Sequence, residues 1–558
     1  MTLPWVQNYD PGVPPAVGPA EDSLPRLLLQ AAAKTPQAPA LAFFGRIFTY
    51  RELSEQAARL AQAFKTLGLN PGDRLGLMLP NCPQLVTAYH AALRLGAVVV
   101  MLNPLLSPKE LAYQLADSGA RHLVVLDHFW PQVEEVQGSL DLSQVIVTSL
   151  TDALPWPLSW LYLFKAWRQG LMVGFRPGPG RLDWRTLLQH PPLQDGPLPD
   201  PQDLAVLQYT GGTTGTPKAA MLTHANLMVN VAQISAWLHQ VRYGEERVVG
   251  LLPFTHSFGL TACLNWPMSQ GAMIILLPRF EIDSLIKALK KHRPTMLPGV
   301  PTLFVALIND PRLPKMDLSS LWGCISGSAP LPLEVRDRFE DLSGCRILEG
   351  YGLTEASPVT HINPVVGPRP PGSMGLPLPG THARVVDQET GTRELPPGEV
   401  GELILQGPQV MRGYWQNPQE TDIVLKDGWL YTGDLAKMDA QGYFYIVERK
   451  KDLIIAGGYN IYPREVEEVL YQHPQVKEAV ALGVPDAYRG ETLKVVIVPT
   501  DGARLTAQEI QAFCKSRLAV YKVPRIVEFR DQLPKSMVGK VLRRLLREEA
   551  GPSQSPPP

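Results

Sequence analysis

Leu207-Gln-Tyr-Thr-Gly-Gly-Thr-Thr-Gly-Thr-Pro-Lys218 is the stretch from which the fold of this chain is best predicted. It combines three glycines with hydroxyl groups and one lysine: Thr210, Gly211, Gly212, Thr213, Thr214, Gly215, Thr216 and Lys218. Glycines let the backbone turn tightly and approach a ligand closely. Backbone N–H groups, hydroxyls and an ammonium group together surround polyphosphates. The stretch predicts a polyphosphate-binding loop, and a surface turn is the alternative.

This loop differs from a Walker A motif, in which Gly-Lys-Ser/Thr opens a helix. Pro217 precedes Lys218, and the Ala-Ala-Met-Leu that follows is typical of a strand. A P-loop kinase or GTPase is therefore disfavoured.

The composition is that of a globular protein with more than one domain. The chain has 558 residues, 45% of them hydrophobic, and a formal net charge of −1. This length exceeds one compact core. A near-neutral charge argues against a nucleic-acid partner, because phosphate backbones require a basic face. The five cysteines form no Cys-x-x-Cys pair, and residues 1–20 show no secretory signal, so we expect a cytoplasmic location.

Strand and helix patterns alternate along the first half of the chain. Apolar runs predict strands at 74–79, 97–102 and 122–126, and helical spacing predicts helices at 83–95 and 108–118. Such alternation with continuously apolar strands predicts an α/β fold with mostly parallel sheets covered on both faces. Residues 1–20 are expected to lie on the domain as an extended arm.

Polar clusters follow three predicted strands further along the chain. The strand at 247–252 leads to His256, that at 321–326 to Gly327-Ser328-Ala329, and that at 346–348 to the stretch 349–355. Ligands of open sheets bind beyond the carboxyl ends of strands. We therefore predict one shared crevice, with a structural histidine as the alternative for His256.

An aromatic stretch at 153–175 interrupts the regular pattern. It contains Trp156, Trp160 and Trp167 next to Lys165 and Arg168. One interpretation is a loop and short helix packed on the core. The other is an interfacial patch, because tryptophans beside cations suit a membrane surface.

Five motifs occur in order along the chain: Tyr209–Lys218, Glu349–Glu355, Tyr431–Asp434, Glu448–Asp452 and Pro534–Lys540. On these motifs the chain resembles the AMP-forming adenylate superfamily of acyl-CoA synthetases, adenylation domains and luciferases, from Thr49 to Arg544. It is most similar to long-chain fatty acid CoA ligases, because of its opening residues 5–14 and the aromatic insert near Trp160.

The resemblance implies how the chain is divided. A large N-terminal domain of doubly covered mixed sheets would span 1–449, with a small β-barrel-like subdomain at about 371–439. Residues 450–452 would form a hinge around Lys451, residues 453–550 a small mobile α+β domain, and residues 551–558 a disordered tail. The change to short strands between Gly/Pro turns after Pro371 also favours a β subdomain.

The resemblance implies that a carboxylate and ATP give acyl-AMP and pyrophosphate, and that coenzyme A then displaces AMP. The implied catalytic residues are His256, Thr354, Glu355 and Lys540. Glu355 and Thr213 would hold Mg²⁺, a hard cation suited to oxygen ligands. The implied ATP-binding residues are Thr210, Gly211, Gly212, Thr213, Thr214, Gly215, Lys218, Gly327, Ser328, Ala329, Glu349, Gly350, Tyr351, Gly352, Thr354, Asp434, Arg449 and Lys540. The implied acyl and CoA site consists of His256, Phe258, Gly352, Gly457, Gly458 and Tyr459.

The resemblance leaves the acid open. Gly352 stands where acetate-specific relatives carry a blocking tryptophan, so acetate is not expected to be the best substrate and a medium- or long-chain fatty acid is. The chain departs from some long-chain members in one respect, because Leu260 stands near the position of their gating tryptophan. A gate would therefore use another residue, and Phe258 is a candidate. The alternatives are an aryl-acid CoA ligase, an acyl-AMP ligase that loads a carrier protein, and a non-catalytic acyl or nucleotide sensor. A peripheral contact with the cytoplasmic membrane face and a homodimer are also left open.

Overall fold

The computed structural model describes residues 3–168, 175, 177–210, 217–456, 459–486, 489–500, 502–535 and 541–550. Within these ranges the strands are β1 Pro39–Phe43, β2 Arg46–Thr49, β3 Arg74–Met78, β4 Val98–Met101, β5 His122–Leu126, β6 Gln144–Thr148, β7 Arg181–Asp183, β8 Leu204–Thr210, β9 Lys218–Thr223, β10 Arg247–Gly250, β11 Met273–Leu276, β12 Met296–Gly299, β13 Gly323–Ser326, β14 Ile347–Gly352, β15 Val359–Ile362, β16 Leu376–Pro377, β17 His382–Val386, β18 Gly401–Gln406, β19 Leu425–Lys426, β20 Trp429–Met438, β21 Phe444–Arg449, β22 Ile454–Ala456, β23 Tyr459–Ile461, β24 Val476–Asp486, β25 Gly490–Pro499 and β26 Ile526–Phe529.

The helices of the same ranges are α1 Pro25–Lys34, α2 Tyr50–Thr66, α3 Pro83–Arg94, α4 Pro108–Ser118, α5 Trp130–Val136, α6 Leu158–Arg168, α7 Trp184–Leu187, α8 His224–Trp237, α9 Ser257–Leu260, α10 Trp266–Ser269, α11 Ile282–His292, α12 Pro301–Ile308, α13 Leu333–Ser343, α14 Pro418–Val424, α15 Pro463–Tyr471, α16 Ala507–Lys515 and α17 Arg543–Ala550. Among the described residues, no helix is both long and apolar enough to cross a membrane.

Two large sheets form the N-terminal part. One has the order β7-β6-β5-β3-β4-β8-β9 and is parallel except for β9; the other has the order β16-β15-β14-β13-β12-β10-β11-β1-β2 and is parallel from β14 to β1. The central strands are buried along their whole length, as the apolar runs predict. The predicted α/β fold with doubly covered mixed sheets is confirmed.

Two smaller sheets follow along the chain. The antiparallel sheet β17-β18-β20-β19, with β21 paired to β20, lies in the region predicted as a small β subdomain and extends to Arg449. The limits of a subdomain stay a prediction. The C-terminal sheet has the order β23-β22-β25-β24, with β26 parallel to β25, and packs against α15 and α16. The short helical turn Lys450–Asp452 lies between these two sheets. The functional division at 450–452 stays a prediction.

Several helices begin at capping interactions that are visible in the sequence. Thr49 and Glu52 form a capping box on α2, and Thr506 and Glu509 form one on α16. Thr223 caps α8. Each cap satisfies backbone N–H groups that the first turn of a helix leaves without a partner.

The predicted N-terminal arm lies on the large domain. The Trp5 side chain is buried beside Gly442 and packs edge-on against Phe444 at 5.9 Å. Asp10 accepts hydrogen bonds from the backbone N–H groups of Val366 and Gly367 at 2.9 and 2.7 Å.

Candidate active site

Asp434 is the centre of a buried cluster on β20. The Tyr351 hydroxyl donates to Asp434 Oδ2 at 2.7 Å, and Arg449 Nε lies 3.2 Å from Asp434 Oδ1. Asp434 faces Arg449 across the β20–β21 ladder, so sheet register creates the pair. Three residues from three separate sequence motifs therefore meet at one carboxylate.

The electrostatics of this cluster fix the roles of its members. Burial and the neighbouring Asp434 carboxylate raise the pKa of Tyr351 well above its ordinary value. The Asp434 carboxylate also raises the pKa of Arg449. Tyr351 therefore remains a hydrogen-bond donor and Arg449 a cation near neutral pH. A carboxylate held in this way is suited to accept hydrogen bonds from the hydroxyls of a ribose.

Glu355 lies just after β14, in the short helical turn Thr354–Ala356. Its Oε1 accepts a hydrogen bond from the Tyr414 hydroxyl at 2.8 Å, and its backbone oxygen accepts one from Met411 N at 2.8 Å. Burial and the Glu355 carboxylate raise the pKa of Tyr414, which keeps this hydroxyl a donor. Glu355 Oε2 has no hydrogen bond from the described part of the chain and is available to a ligand.

Thr354, the other predicted catalytic residue of this turn, lies next to a second hydroxyl. Its Oγ1 is 3.0 Å from the Oγ of Ser257, the first residue of α9. The preceding residue, His256, caps α9 because its Nδ1 accepts a hydrogen bond from Phe258 N at 3.2 Å. The structure therefore brings the strand end of β10 next to that of β14, as one shared crevice requires.

The predicted polyphosphate loop connects the two strands of a hairpin. Its first and last residues, Thr210 and Lys218, face each other in the antiparallel pair β8–β9, which confirms the predicted strand after the loop. Lys218 Nζ lies 2.5 Å from Glu420 Oε2 and 5.5 Å from the centre of the Tyr414 ring. Lys218 is thus held at the base of the loop by an acidic partner that the sequence did not predict.

The turn after β13 holds Gly327, Ser328 and Ala329, which are predicted to bind ATP. Ser328 has a φ of +69°, an unusual backbone conformation for a residue with a side chain. A Cβ on Gly327 would lie 3.1 Å from the Phe258 ring, so Gly327 allows this ring to come close to the turn. Burial raises the pKa of Glu349, on the neighbouring strand β14, to about 7.

The strand β14 differs from its prediction. It was expected to end at Leu348, but it continues to Gly352 because Gly350 and Tyr351 pair with Ile362 and His361 of β15. The motif 349–352 is therefore part of a strand and not of a loop.

Gly352 lies very close to a neighbouring backbone. A Cβ at this position would lie 2.1 Å from the carbonyl oxygen of Pro358, well inside van der Waals contact. The absence of a side chain thus allows this close backbone approach. A place for Gly352 in the ATP or acyl site stays a prediction.

Several predicted site residues lie outside the described residues: Gly211, Gly212, Thr213, Thr214, Gly215, Gly457, Gly458 and Lys540. Tyr459 opens β23, but its side chain is not among those described. Lys451 is exposed in the turn between β21 and β22. Ala329 follows Ser328 at the exposed end of β13. The functional roles of all these residues stay predictions.

Tyr414, Glu420 and His361 are site neighbours that the sequence did not reveal. His361 packs edge-on against the Tyr351 ring at 5.8 Å, and burial lowers its pKa to about 3, so it is neutral. The only local signal for the first two is the Gly-Tyr-Trp run at 413–415, followed by an Asn-Pro helix start at 417–418. Neither signal indicates contact with residues more than fifty positions away.

Two protein-family models match this chain. The family described as "AMP-binding enzyme" matches residues 28–415, and the "AMP-binding enzyme C-terminal domain" matches residues 465–540. The chain belongs to the AMP-binding enzyme family. The first match covers β8, β9 and the Glu355 turn, and the second covers most of the C-terminal sheet.

Two curated relatives are similar to this family member over almost its whole length. The long-chain-fatty-acid–CoA ligase of Bacillus subtilis is 45% identical over 98% of this chain and 98% of its own. The feruloyl-CoA synthase of an Amycolatopsis species is 36% identical over 94% of this chain and 98% of its own.

Among solved structures, MatB from Rhodopseudomonas palustris is similar in two states. It is 31% identical, and the match covers 95% of this chain and 99% of MatB. The ATP-bound crystal structure gives a TM-score of 0.84 and the apo structure a TM-score of 0.73. Both crystal structures are of the same protein, so the difference in TM-score reflects a difference in conformation. The conformation of this family member is closer to that of ATP-bound MatB than to that of apo MatB.

Proposed function

We propose that this protein ligates a medium- or long-chain fatty acid to coenzyme A through an acyl-AMP intermediate, with release of pyrophosphate and AMP. The observation that carries the proposal is the meeting of Tyr351, Asp434 and Arg449 at one buried carboxylate, next to the Glu355 turn and the base of the loop at 211–216. The similarity to a long-chain-fatty-acid–CoA ligase supports the choice of acid.

The chemistry assigned to the chain's own residues is mainly positioning and charge stabilisation. Asp434, with Arg449 beside it, orients the ribose of ATP, and Tyr351 packs on the base. Thr354 contacts the α-phosphate, while the loop at 211–216 and Lys218 hold the outer phosphates. Lys540 stabilises the charge that develops where the acid carboxylate attacks the α-phosphate.

The donor set at Glu355 fits a magnesium ion. Magnesium is usually bound by one or two carboxylates and by phosphate oxygens of the substrate. Glu355 Oε2 has no hydrogen-bond partner in the described ranges, and no group of three metal-ligating side chains occurs there. One carboxylate with substrate phosphates is therefore the proposed arrangement. When bound, the ion would neutralise phosphate charge during transfer.

The surface around α6 supports a peripheral membrane contact as part of this function. The side chains of Trp156, Trp160, Leu161 and Phe164 are 80%, 72%, 60% and 55% exposed. Gly45, in the β1–β2 turn, has Leu158 Cδ1 and Lys291 Nζ within 4.0 Å of its Cβ position. Exposed tryptophans on an element whose residue Leu158 lies near the same turn as an ammonium group suit an anionic bilayer, where fatty acids partition. A cytoplasmic location stays a prediction.

An aryl-acid CoA ligase remains the second candidate, because the feruloyl-CoA synthase is also similar over almost the whole chain. Pyrophosphate release with a panel of fatty and aryl acids, with and without coenzyme A, tests both. We expect the fastest release and thioester formation with fatty acids. A preference for ferulate-like acids favours the second candidate, release that stops at acyl-AMP favours a carrier-loading enzyme, and no release with any acid overturns the proposed function.

A further inference from the structure

Contacts between the two sides of the turn at 450–452 converge on Glu448, the penultimate residue of β21. Glu448 Oε1 lies 3.0 Å from Arg543 Nη1 of α17, and Glu448 Oε2 accepts a hydrogen bond from the backbone N of Arg464 in α15 at 3.0 Å. The Glu448 side chain is only 5% exposed. A single buried carboxylate therefore joins β21 to two helices that follow the turn.

Arg543 is the centre of the partner cluster. Its Nη2 lies 2.7 Å from Glu467 Oε1, and its Nη1 lies 3.6 Å from Asp452 Oδ2. Burial opposes its charge, but the carboxylates of Glu467, Glu448 and Asp452 together raise its pKa above the ordinary value. Glu467 and Arg543 both follow the turn, so their contact does not depend on how the two sides are arranged, whereas the contact with Glu448 does.

The position of Arg543 matters because this residue follows closely on the segment 536–540. Lys535 and Val541 form a bridge, and Leu542 N donates to Pro534 O at 2.8 Å. These contacts join the two ends of the segment 536–540, and Arg543 comes directly after them. Where Glu448 holds Arg543, it also fixes where both ends of this segment lie.

We propose that Glu448 is a positioning residue that sets the orientation of the C-terminal sheet and α17 required for acyl-AMP formation. The inference rests on the proposed function and assigns this role to a residue outside the predicted site. Glu448 acts through Arg543 and Arg464 and touches neither substrate nor reacting atoms.

Glu448→Gln and Glu467→Gln make a matched pair of variants. Glutamine replaces one acceptor oxygen with a donor, so at either position one N–H partner faces another donor. Only the first change affects contacts across the turn. Half-reactions are measured separately: acyl-AMP formation from acid and ATP, and thioester formation from supplied acyl-AMP and coenzyme A.

We expect Glu448→Gln to slow acyl-AMP formation about tenfold and to leave thioester formation unchanged or faster, because the population of the competent arrangement falls. Glu467→Gln should change both half-reactions in the same proportion. In a double-mutant cycle, Arg543→Gln should remove most of the additional effect of Glu448→Gln. An unchanged ratio of half-reactions in Glu448→Gln, or the same ratio in both variants, overturns the inference.

A readout that needs no turnover separates this inference from the proposed function. Trypsin can cleave after Arg449, Lys450 and Lys451, and cleavage there should be faster in Glu448→Gln than in wild type or Glu467→Gln. Equal cleavage rates in all three proteins overturn the role of Glu448. Faster cleavage of Glu448→Gln in a protein that forms no acyl-AMP even as wild type supports the role of Glu448 in holding the C-terminal sheet and refutes the proposed function.

Discussion

Tyr414 donates its hydroxyl hydrogen bond to one oxygen of Glu355 and leaves the other oxygen to a ligand. Glu355→Gln keeps the size of the side chain but removes the charge that would hold magnesium. We expect acyl-AMP formation to fall sharply with unchanged thermal unfolding. Tyr414→Phe should raise the magnesium concentration for half-maximal activity by about 10- to 100-fold, as loss of a partner behind a metal ligand usually does.

Tyr445→Phe is the matched control for this pair of variants, since Tyr445 also donates to a carboxylate, Asp439, at 2.8 Å. A magnesium dependence of Glu355→Gln equal to that of wild type would contradict the assigned role. So would an equal effect of Tyr414→Phe and Tyr445→Phe.

The ion pair of Lys218 and Glu420 predicts an effect on ATP binding. Neutralising the acid in Glu420→Gln leaves the Lys218 ammonium free to attract phosphate charge, so we expect the KM for ATP to fall about three- to tenfold. Glu399→Gln, at an exposed position, is the control. A higher KM for ATP in Glu420→Gln would mean that Glu420 holds Lys218 in place and does not compete with phosphate.

Glu349 predicts a pH effect on stability. Burial raises the pKa of its carboxyl from 4.5 to about 7, so the folded state keeps the proton longer than the unfolded state. The carboxyl therefore costs nothing below pH 4.5 and destabilises the folded state increasingly as pH rises to about 7. The free energy of unfolding of Glu349→Gln should exceed that of wild type by about 3 kcal/mol at pH 8 and should equal it at pH 4. Denaturant titrations at both values measure this difference, and a pH-independent difference would refute it.

At the residue scale, the sequence predicted the residues of the Asp434 cluster better than their partners. Tyr351, Asp434 and Arg449 belong to short motifs with distinctive spacing. Tyr414 and Glu420 take part only because β8–β9 and α14 pack near the Glu355 turn, which is a tertiary contact without a local pattern. The lack of room for a Cβ at Gly352 likewise depends on where the backbone of Pro358 lies, and the sequence does not indicate that position.

At the scale of elements, α6 carries a prediction about membranes. Replacing Trp156, Trp160 and Leu161 with serine removes exposed apolar surface and leaves the buried core unchanged. We expect co-sedimentation with anionic liposomes to fall while turnover of soluble short acids stays the same. The control is Val520→Ser, because Val520 is 78% exposed and lies in the part of the chain that follows the 450–452 turn. Wild-type protein that fails to bind anionic liposomes would end the proposal.

The limits of helices and strands were predictable where hydrophobic periodicity and capping residues agree. They were less predictable where pairing with another strand decides where a strand ends. The helix at 108–118 and the strand at 122–126 have the limits that the sequence predicts. By contrast, β14 gains four residues because β15 offers an antiparallel partner after Ser357-Pro358. The residues of this turn carry no information about which strand pairs next.

At the scale of the whole molecule, the two half-reactions make different demands. The site must first exclude water from a reactive anhydride and then admit a thiol. Lys540→Ala should abolish acyl-AMP formation and still convert supplied acyl-AMP and coenzyme A to thioester. Lys451→Pro fixes φ in the turn between the sheets and should have the opposite effect. Loss of both half-reactions in equal proportion in both variants would refute a mechanism of alternating domain positions.

The N-terminal arm has a consequence for how the protein is made. Asn8 donates a hydrogen bond to the backbone oxygen of Gln441 at 2.7 Å, across 433 positions of sequence. At roughly 5 to 20 residues per second, a ribosome needs roughly 20 to 90 seconds to synthesise that interval. Trp5 is synthesised long before Gly442 and Phe444, which bury it and lie near the end of the large domain. The N-terminal part of the chain therefore completes its folding only when synthesis has almost reached the C-terminal sheet.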